Sequence, residues 1–215
     1  MYQGTTISHL THGAPVTELL KGINLLASSV GNHEFDWKRD LMPGWAADGG
    51  FDFLAANIVY KNTGLPVEWA KPYLVTEVDG VKIGLIGIAT PETAIKTTPA
   101  NVADLDFTDP IAVVNKYKDI LRNEEKVDAV VVLSHLGANE NKGNPKGEAI
   151  DLANGIKDGV DAIIAAHDHQ FTNVEVNGIN IVQAGYNGRG LGSIIFNFDS
   201  SNNLLKIETK VDLLY

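Results

Sequence analysis

Residues 128–136 read Asp128-Ala129-Val130-Val131-Val132-Leu133-Ser134-His135-Leu136, and residues 161–169 read Asp161-Ala162-Ile163-Ile164-Ala165-Ala166-His167-Asp168-His169. Both stretches run from an aspartate through an unbroken apolar core to a histidine. Apolar runs this short and this continuous suit strands buried on both faces. Val81 to Ala89 is a third such run, and Leu25 to Val30, just ahead of Gly31-Asn32-His33, is largely apolar too. Between the runs lie helical stretches. Pro15 sits at the first turn of one carrying Val16, Leu19 and Leu20, and Asp109-Pro110 opens another with Val113, Val114, Tyr117, Ile120 and Leu121 on one face. Gly147 to Ile156 is a third. Strands alternating with helices predict a largely parallel sheet flanked by helices. From residue 174 the rhythm changes: Val174-Glu175-Val176 and Ile179-Asn180-Ile181 alternate around Asn177-Gly178, a two-residue hairpin signal, so the C-terminal third reads as antiparallel.

The 215 residues contain no repeat and no long linker, so one domain is expected. With 44% hydrophobic and 20% charged residues the chain is too apolar to be disordered. No apolar run approaches the ~20 residues needed to span a bilayer. A net charge of −10 argues against a nucleic-acid polymer or an anionic lipid as partner, so an anionic substrate needs a local device to hold it. Without cysteine, any metal must be held by His, Asn, Asp or Glu. Met1-Tyr2-Gln3-Gly4-Thr5-Thr6 carries no basic and apolar leader pattern.

Three of the six histidines, His33, His135 and His167, fall where an apolar run ends. Ligands of open α/β sheets bind outside the carboxyl ends of the strands, so these rings could meet although they are remote in sequence. His169 adds an imidazole two residues from His167. Each one alone reads more readily as a surface histidine in a loop, but together with Asn32 and a carboxylate they suit Zn, Mn, Fe, Ni or Co. His9 and His12 read as solvated. The glycine-rich Gly185 to Gly192 leads into another strand rather than a helix, which leaves a turn with Arg189 as a candidate contact for an anion. The glycines between Gly80 and Gly87 lack dinucleotide-binding spacing and read as close-packing positions.

Gly31-Asn32-His33-Glu34-Phe35-Asp36, Ser134-His135-Leu136-Gly137 and His167-Asp168-His169 together resemble the calcineurin-like metallophosphoesterases, specifically the catalytic domain of 5′-nucleotidases and 2′,3′-cyclic-nucleotide phosphodiesterases. Phe53 to Asn57, Gly80 to Gly84 and Gln183-Ala184-Gly185 are similar to that family as well. The resemblance implies an α/β metallophosphoesterase-like sheet sandwich flanked by helices, parallel in its first part and antiparallel in the C-terminal third. It implies two divalent metal ions, with Asn32, His135 and His167 on one and His169 on the other. By the same matching His33 is catalytic, stabilising the transferring phosphoryl group or protonating the leaving oxygen, while Asp36 orients its ring and favours the imidazolium. The ions would clamp phosphate oxygens and draw an anionic nucleotide to an acidic protein. An extracytoplasmic setting, periplasmic, cell-wall or secreted, and a role in nucleotide catabolism go with the family.

The sequence departs from the family pattern in two respects. The family's Asp-x-His and Gly-Asp motifs, which lie ahead of the segment resembling Met1 to Thr5, do not occur in it. Residues 1–215 are therefore expected to be a partial catalytic domain, without two ligands of one ion, the bridging carboxylate and the first two strands. A further departure is Ala165-Ala166, which replaces a glycine pair. The expectation is a nucleotide-hydrolysing phosphoesterase with impaired turnover in this chain, holding two ions in the full family site and one or none here. The alternative is a degenerate domain that binds a metal or ligand without turnover. A third reading is a structural fragment that binds no metal.

Overall fold

The computed structural model describes residues 2–214. Ala27–Ser29 (β1) pairs in parallel with Asp52–Leu54 (β2). Six further strands form the main sheet: Tyr73–Val78 (β3), Val81–Ile88 (β4), Ala129–Ser134 (β5), Ala162–Ile164 (β6), Phe171–Val176 (β7) and Ile179–Ala184 (β8), in the order β7-β8-β6-β5-β4-β3. The four inner strands are parallel, and β3 and β7 close the edges antiparallel. Gly190–Phe198 (β9) and Leu204–Leu213 (β10) make a separate antiparallel hairpin. The fold is thus the α/β class expected, with one difference in the distribution of pairings. Antiparallel pairing is not confined to the C-terminal third, because β3 and β4 turn back on each other at Asp79-Gly80. Both of these residues take positive φ, as Asn177 and Gly178 do between β7 and β8. Such dipeptides supply the turn whose twist matches that of the flanking strands.

Helices Ala14–Gly22 (α1), Met42–Gly49 (α2), Pro110–Asn123 (α3) and Glu148–Gly155 (α4) cover the strands. The α3 start follows its chemistry: the Asp109 carboxylate accepts from Ile111 N at 3.0 Å, and Pro110 spends no N–H. Helix α3 carries the chain from β4 towards β5, and α4 from β5 to β6, the crossovers that parallel neighbours require. Val114, Tyr117 and Leu121 of α3 are buried against the sheet. A Cβ at Gly84 would lie 2.8 Å from a Leu121 methyl, so only glycine lets the helix approach. A second core gathers Tyr2, Trp45, Phe35 and Phe53 around α1 and α2, with the Tyr2 and Trp45 rings stacked at 4.0 Å. The layers leave the carboxyl ends of β1, β4, β5 and β6 to be continued by short loops. These loops carry the polar residues described next.

Candidate metal centre

Three polar side chains remote in sequence meet at the strand ends. Asn32 Oδ1 lies 3.0 Å from His135 Nε2, which lies 3.2 Å from His167 Nδ1. Asn32 is buried and the two rings are half-buried. Its amide nitrogen donates to the Lys96 carbonyl at 3.0 Å, which turns Oδ1 towards the rings. A Cβ at Gly31 would lie 2.8 Å from the His135 ring, so glycine is what allows the loop after β1 to come this close.

The proton count at this cluster is informative. One His135 Nε2–H cannot serve both Asn32 Oδ1 and His167 Nδ1 well, which leaves a surplus of lone pairs pointing inward. Ligand atoms held about 2.1 Å from a single ion lie roughly 3.0–3.4 Å from one another, the spacing seen here. Burial, aided by His167 and opposed by Glu34, pushes the His135 imidazole down from 6.5 to about 4. The ring is therefore neutral near pH 7, the form that ligates. The donor set, one amide oxygen and two imidazoles without sulfur, suits a borderline divalent transition ion.

His167 and His169 both have positive φ, 92° and 62°, which a non-glycine residue holds only when its surroundings over-determine it. Gln183 supplies much of that restraint. Its amide donates to Asp168 Oδ1 at 2.6 Å and to the Gln170 carbonyl at 2.9 Å, and its Oε1 accepts from Ala138 N at 3.2 Å. His169 is exposed and stacks on Tyr186 with ring centroids 5.2 Å apart. Arg189 lies over the other partner in this stack: it is 5.2 Å from the Tyr186 ring centre and donates to the phenol oxygen at 2.7 Å.

His33 stands beside the cluster on the turn Asn32–Phe35, with its ring half-exposed. Its Nδ1 is 2.8 Å from Asp36 Oδ2, so the carboxylate fixes the tautomer and leaves Nε2 as the working nitrogen. Thr97 Oγ1 donates to the other Asp36 oxygen at 2.9 Å. His9 and His12 are exposed, as expected, and both pack against Trp37.

The sequence reading passed over two glutamates. Glu92 Oε2 is 3.2 Å from His167 Nε2, on the opposite side of the ring from His135. Glu148 accepts from Thr90 Oγ1 at 2.8 and 3.0 Å, and burial raises its carboxyl above the usual range. One ligand atom from each of Glu92, Glu148 and His167 fits within 4.8 Å. An apolar cavity of about 630 Å³ between the main sheet and β9 is lined by Leu85, Leu133, Ile164 and Phe196, and reaches the site only at Tyr186, the ring that stacks on His169.

An α/β sheet whose strand ends gather an asparagine and two histidines beside a His–Asp pair defines a metallophosphoesterase-type domain. The chain belongs to the calcineurin-like, 5′-nucleotidase-like metallophosphoesterases, and the family model described as bacterial capsule synthesis protein PGA_cap matches residues 54–197. It is 33% identical over 97% of its length to Endonuclease YhcR of Bacillus subtilis, covering 18% of that protein. It is 32% identical over 91% of its length to Cell wall protein Lmo0130 of Listeria monocytogenes, covering 28%. The crystal structure of a 5′-nucleotidase precursor from Thermus thermophilus superposes with a TM-score of 0.80 at 26% identity, over 98% of this chain and 43% of that one. The chain thus spans less than half the length of these relatives. Among the described residues no helix is long and apolar enough to cross a membrane.

Proposed function

We propose that this chain is the metal-binding and phosphoester-cleaving part of a nucleotide-directed hydrolase. The observation that carries the reading is the convergence of Asn32 Oδ1, His135 Nε2 and His167 Nδ1 at 3.0 and 3.2 Å. A divalent ion held there would supply Lewis acidity towards a phosphate oxygen and acidify a bound water. His169, on the same strained loop, is the candidate ligand for a second ion. The protein's own groups do the rest. His33, oriented by Asp36, offers Nε2 to the phosphoryl oxygens or to the departing alkoxide. Asn32 keeps its amide N–H on Lys96 and gives only its oxygen to the centre. Arg189 and Tyr186, beside His169, are positioned to meet an anionic or aromatic portion of a substrate. Relatives named 5′-nucleotidase make nucleoside monophosphates the esters to try first, and a cell wall protein among the relatives supports an extracytoplasmic setting.

The test uses the 215-residue chain stripped with EDTA and titrated with Mn²⁺, while phosphate release from a nucleoside 5′-monophosphate and a 2′,3′-cyclic nucleotide is followed. The reading expects Mn²⁺ binding that is lost in His135→Ala, and Mn²⁺-dependent release, slow in this chain, that is lost in His33→Ala. Binding without any turnover would replace this reading with that of a ligand-binding domain. No binding at all would refute it.

A further inference from the structure

The residues of the cluster are held from behind by one short piece of chain. After β4 the polypeptide runs through Ala89-Thr90-Pro91 into Glu92 and the one-turn helix Thr93–Lys96. Three successive contacts leave this piece. The Glu92 carboxylate meets His167 Nε2 at 3.2 Å, the Lys96 carbonyl accepts from Asn32 Nδ2 at 3.0 Å, and Thr97 Oγ1 donates to Asp36 Oδ1 at 2.9 Å. Each contact falls on the far side of a residue whose other side faces the site. Thr93, fully buried, anchors the middle of the segment, while Glu92 and Lys96 reach outward from it.

We propose that Glu92–Thr97 is the positioning element of the site, with Glu92 setting His167 as the Nε2–H tautomer so that Nδ1 is presented bare to Asn32 and His135. The inference rests on the metal-centre reading above. An imidazole carries one proton when neutral, and a carboxylate on one nitrogen draws that proton to it. The charged groups found at the ring among the described residues fit this assignment. His135 lies at Nδ1 and Glu92 at Nε2, a Glu148 carboxylate oxygen lies within 4.8 Å of a His167 nitrogen, and Lys96 Nζ is 4.0 Å from Glu92 Oε2. Thr97 acts through Asp36 on the His33 ring, and its side-chain hydroxyl bonds Asp36 rather than any of the three candidate ligands. The segment therefore serves two functions by separable residues.

Glu92→Ala and Thr97→Val separate them; Glu92 is exposed, and circular dichroism checks that both variants are folded. Nitrogen-15 spectra of the metal-free chain should show His167 protonated on Nε2 in the wild type, and a mixture of tautomers in Glu92→Ala. Calorimetric titration with Mn²⁺ should give about tenfold weaker binding in Glu92→Ala, partial recovery in Glu92→Gln, whose amide oxygen still accepts, and unchanged binding in Thr97→Val. A wild-type ring protonated on Nδ1 would overturn the inference, as would Mn²⁺ affinity equal in wild type and Glu92→Ala. So would Mn²⁺ binding that survives Asn32→Ala and is lost in Glu148→Gln, which would place the ion on the Nε2 side. If the wild type binds no Mn²⁺, the metal-centre reading fails, and the tautomer spectra alone still decide the role of Glu92.

Discussion

Replacing His135 by glutamine removes a single titration from the folded protein, and the size of the effect follows from the burial of the ring. In the metal-free fold the imidazole is pushed from 6.5 down to about 4. The unfolded chain therefore takes up the proton first as the pH falls. The stability that His135 contributes by staying neutral is complete above about pH 6.5 and is lost progressively towards about pH 4. At about 1.4 kcal/mol for each tenfold change in proton affinity, the loss over that window is about 3 kcal/mol. All other titrating groups are shared by the two proteins, so the quantity to compare is the difference between their pH profiles. Urea unfolding in EDTA, repeated from neutral pH to about pH 4, gives it directly. The wild type should lose about 3 kcal/mol more than His135→Gln across the window. Parallel profiles would show that the ring is hydrated or already protonated in the fold, and the neutral-ligand argument for the metal centre would fall with it.

Four further outcomes are expected. His33→Ala should lower the rate of any metal-dependent phosphate release by roughly 10²–10⁴-fold, with Mn²⁺ affinity unchanged, as steady-state kinetics beside calorimetry would show. Mn²⁺ at about a hundred times its dissociation constant should stabilise the wild type by about 2.7 kcal/mol in thermal unfolding, and His167→Ala should abolish the gain. Asn57 is fully buried, donates to the Ala89 carbonyl at 2.8 Å and accepts from Ala89 N at 2.9 Å. Asn57→Ala strands those groups and should cost about 2–4 kcal/mol by chemical denaturation. A Cβ at Gly87 would run into the Leu54 backbone, which cannot swing aside. Gly87→Ala should therefore destabilise by about 2 kcal/mol or more, read from the denaturation midpoint.

The parts of the fold that could be read in the sequence are those set by local chemistry. The runs around Val131 and Ile163 became inner parallel strands because they carry no polar residue on either face, and Asn177-Gly178 made its turn because both positions need positive φ. Strand-end logic placed His33, His135 and His167 in one neighbourhood; the structure brings His135 and His167 together with Asn32 and sets His33 beside them on Asp36. It could not say which ring nitrogen faces inward, because that is fixed by Glu92. Glu92 is one of 27 acidic residues, sits in an exposed turn and has no periodicity to mark it. Nothing in Gln183-Ala184-Gly185 shows that the Gln183 amide braces the loop carrying His167, because that contact is made only in the fold. The antiparallel β3–β4 edge was missed for a simpler reason. Asp79-Gly80 is as good a hairpin dipeptide as Asn177-Gly178, but the apolar run of β4 suits a strand buried on both faces, which favours parallel pairing in the first part of the chain.

The three inward-facing atoms of the cluster come from chain positions 103 and 32 residues apart. In the unfolded polypeptide such positions meet rarely, and the entropy of closing both loops must be supplied before an ion can feel more than one donor. The fold supplies it in advance, so a divalent ion would act as a tie across two long chain segments and bind the folded population almost exclusively. Metal supply would then govern how long the chain survives as well as what it can cleave. Chelation would be expected to shorten its lifetime against proteases, and a metal-rich surrounding to extend it.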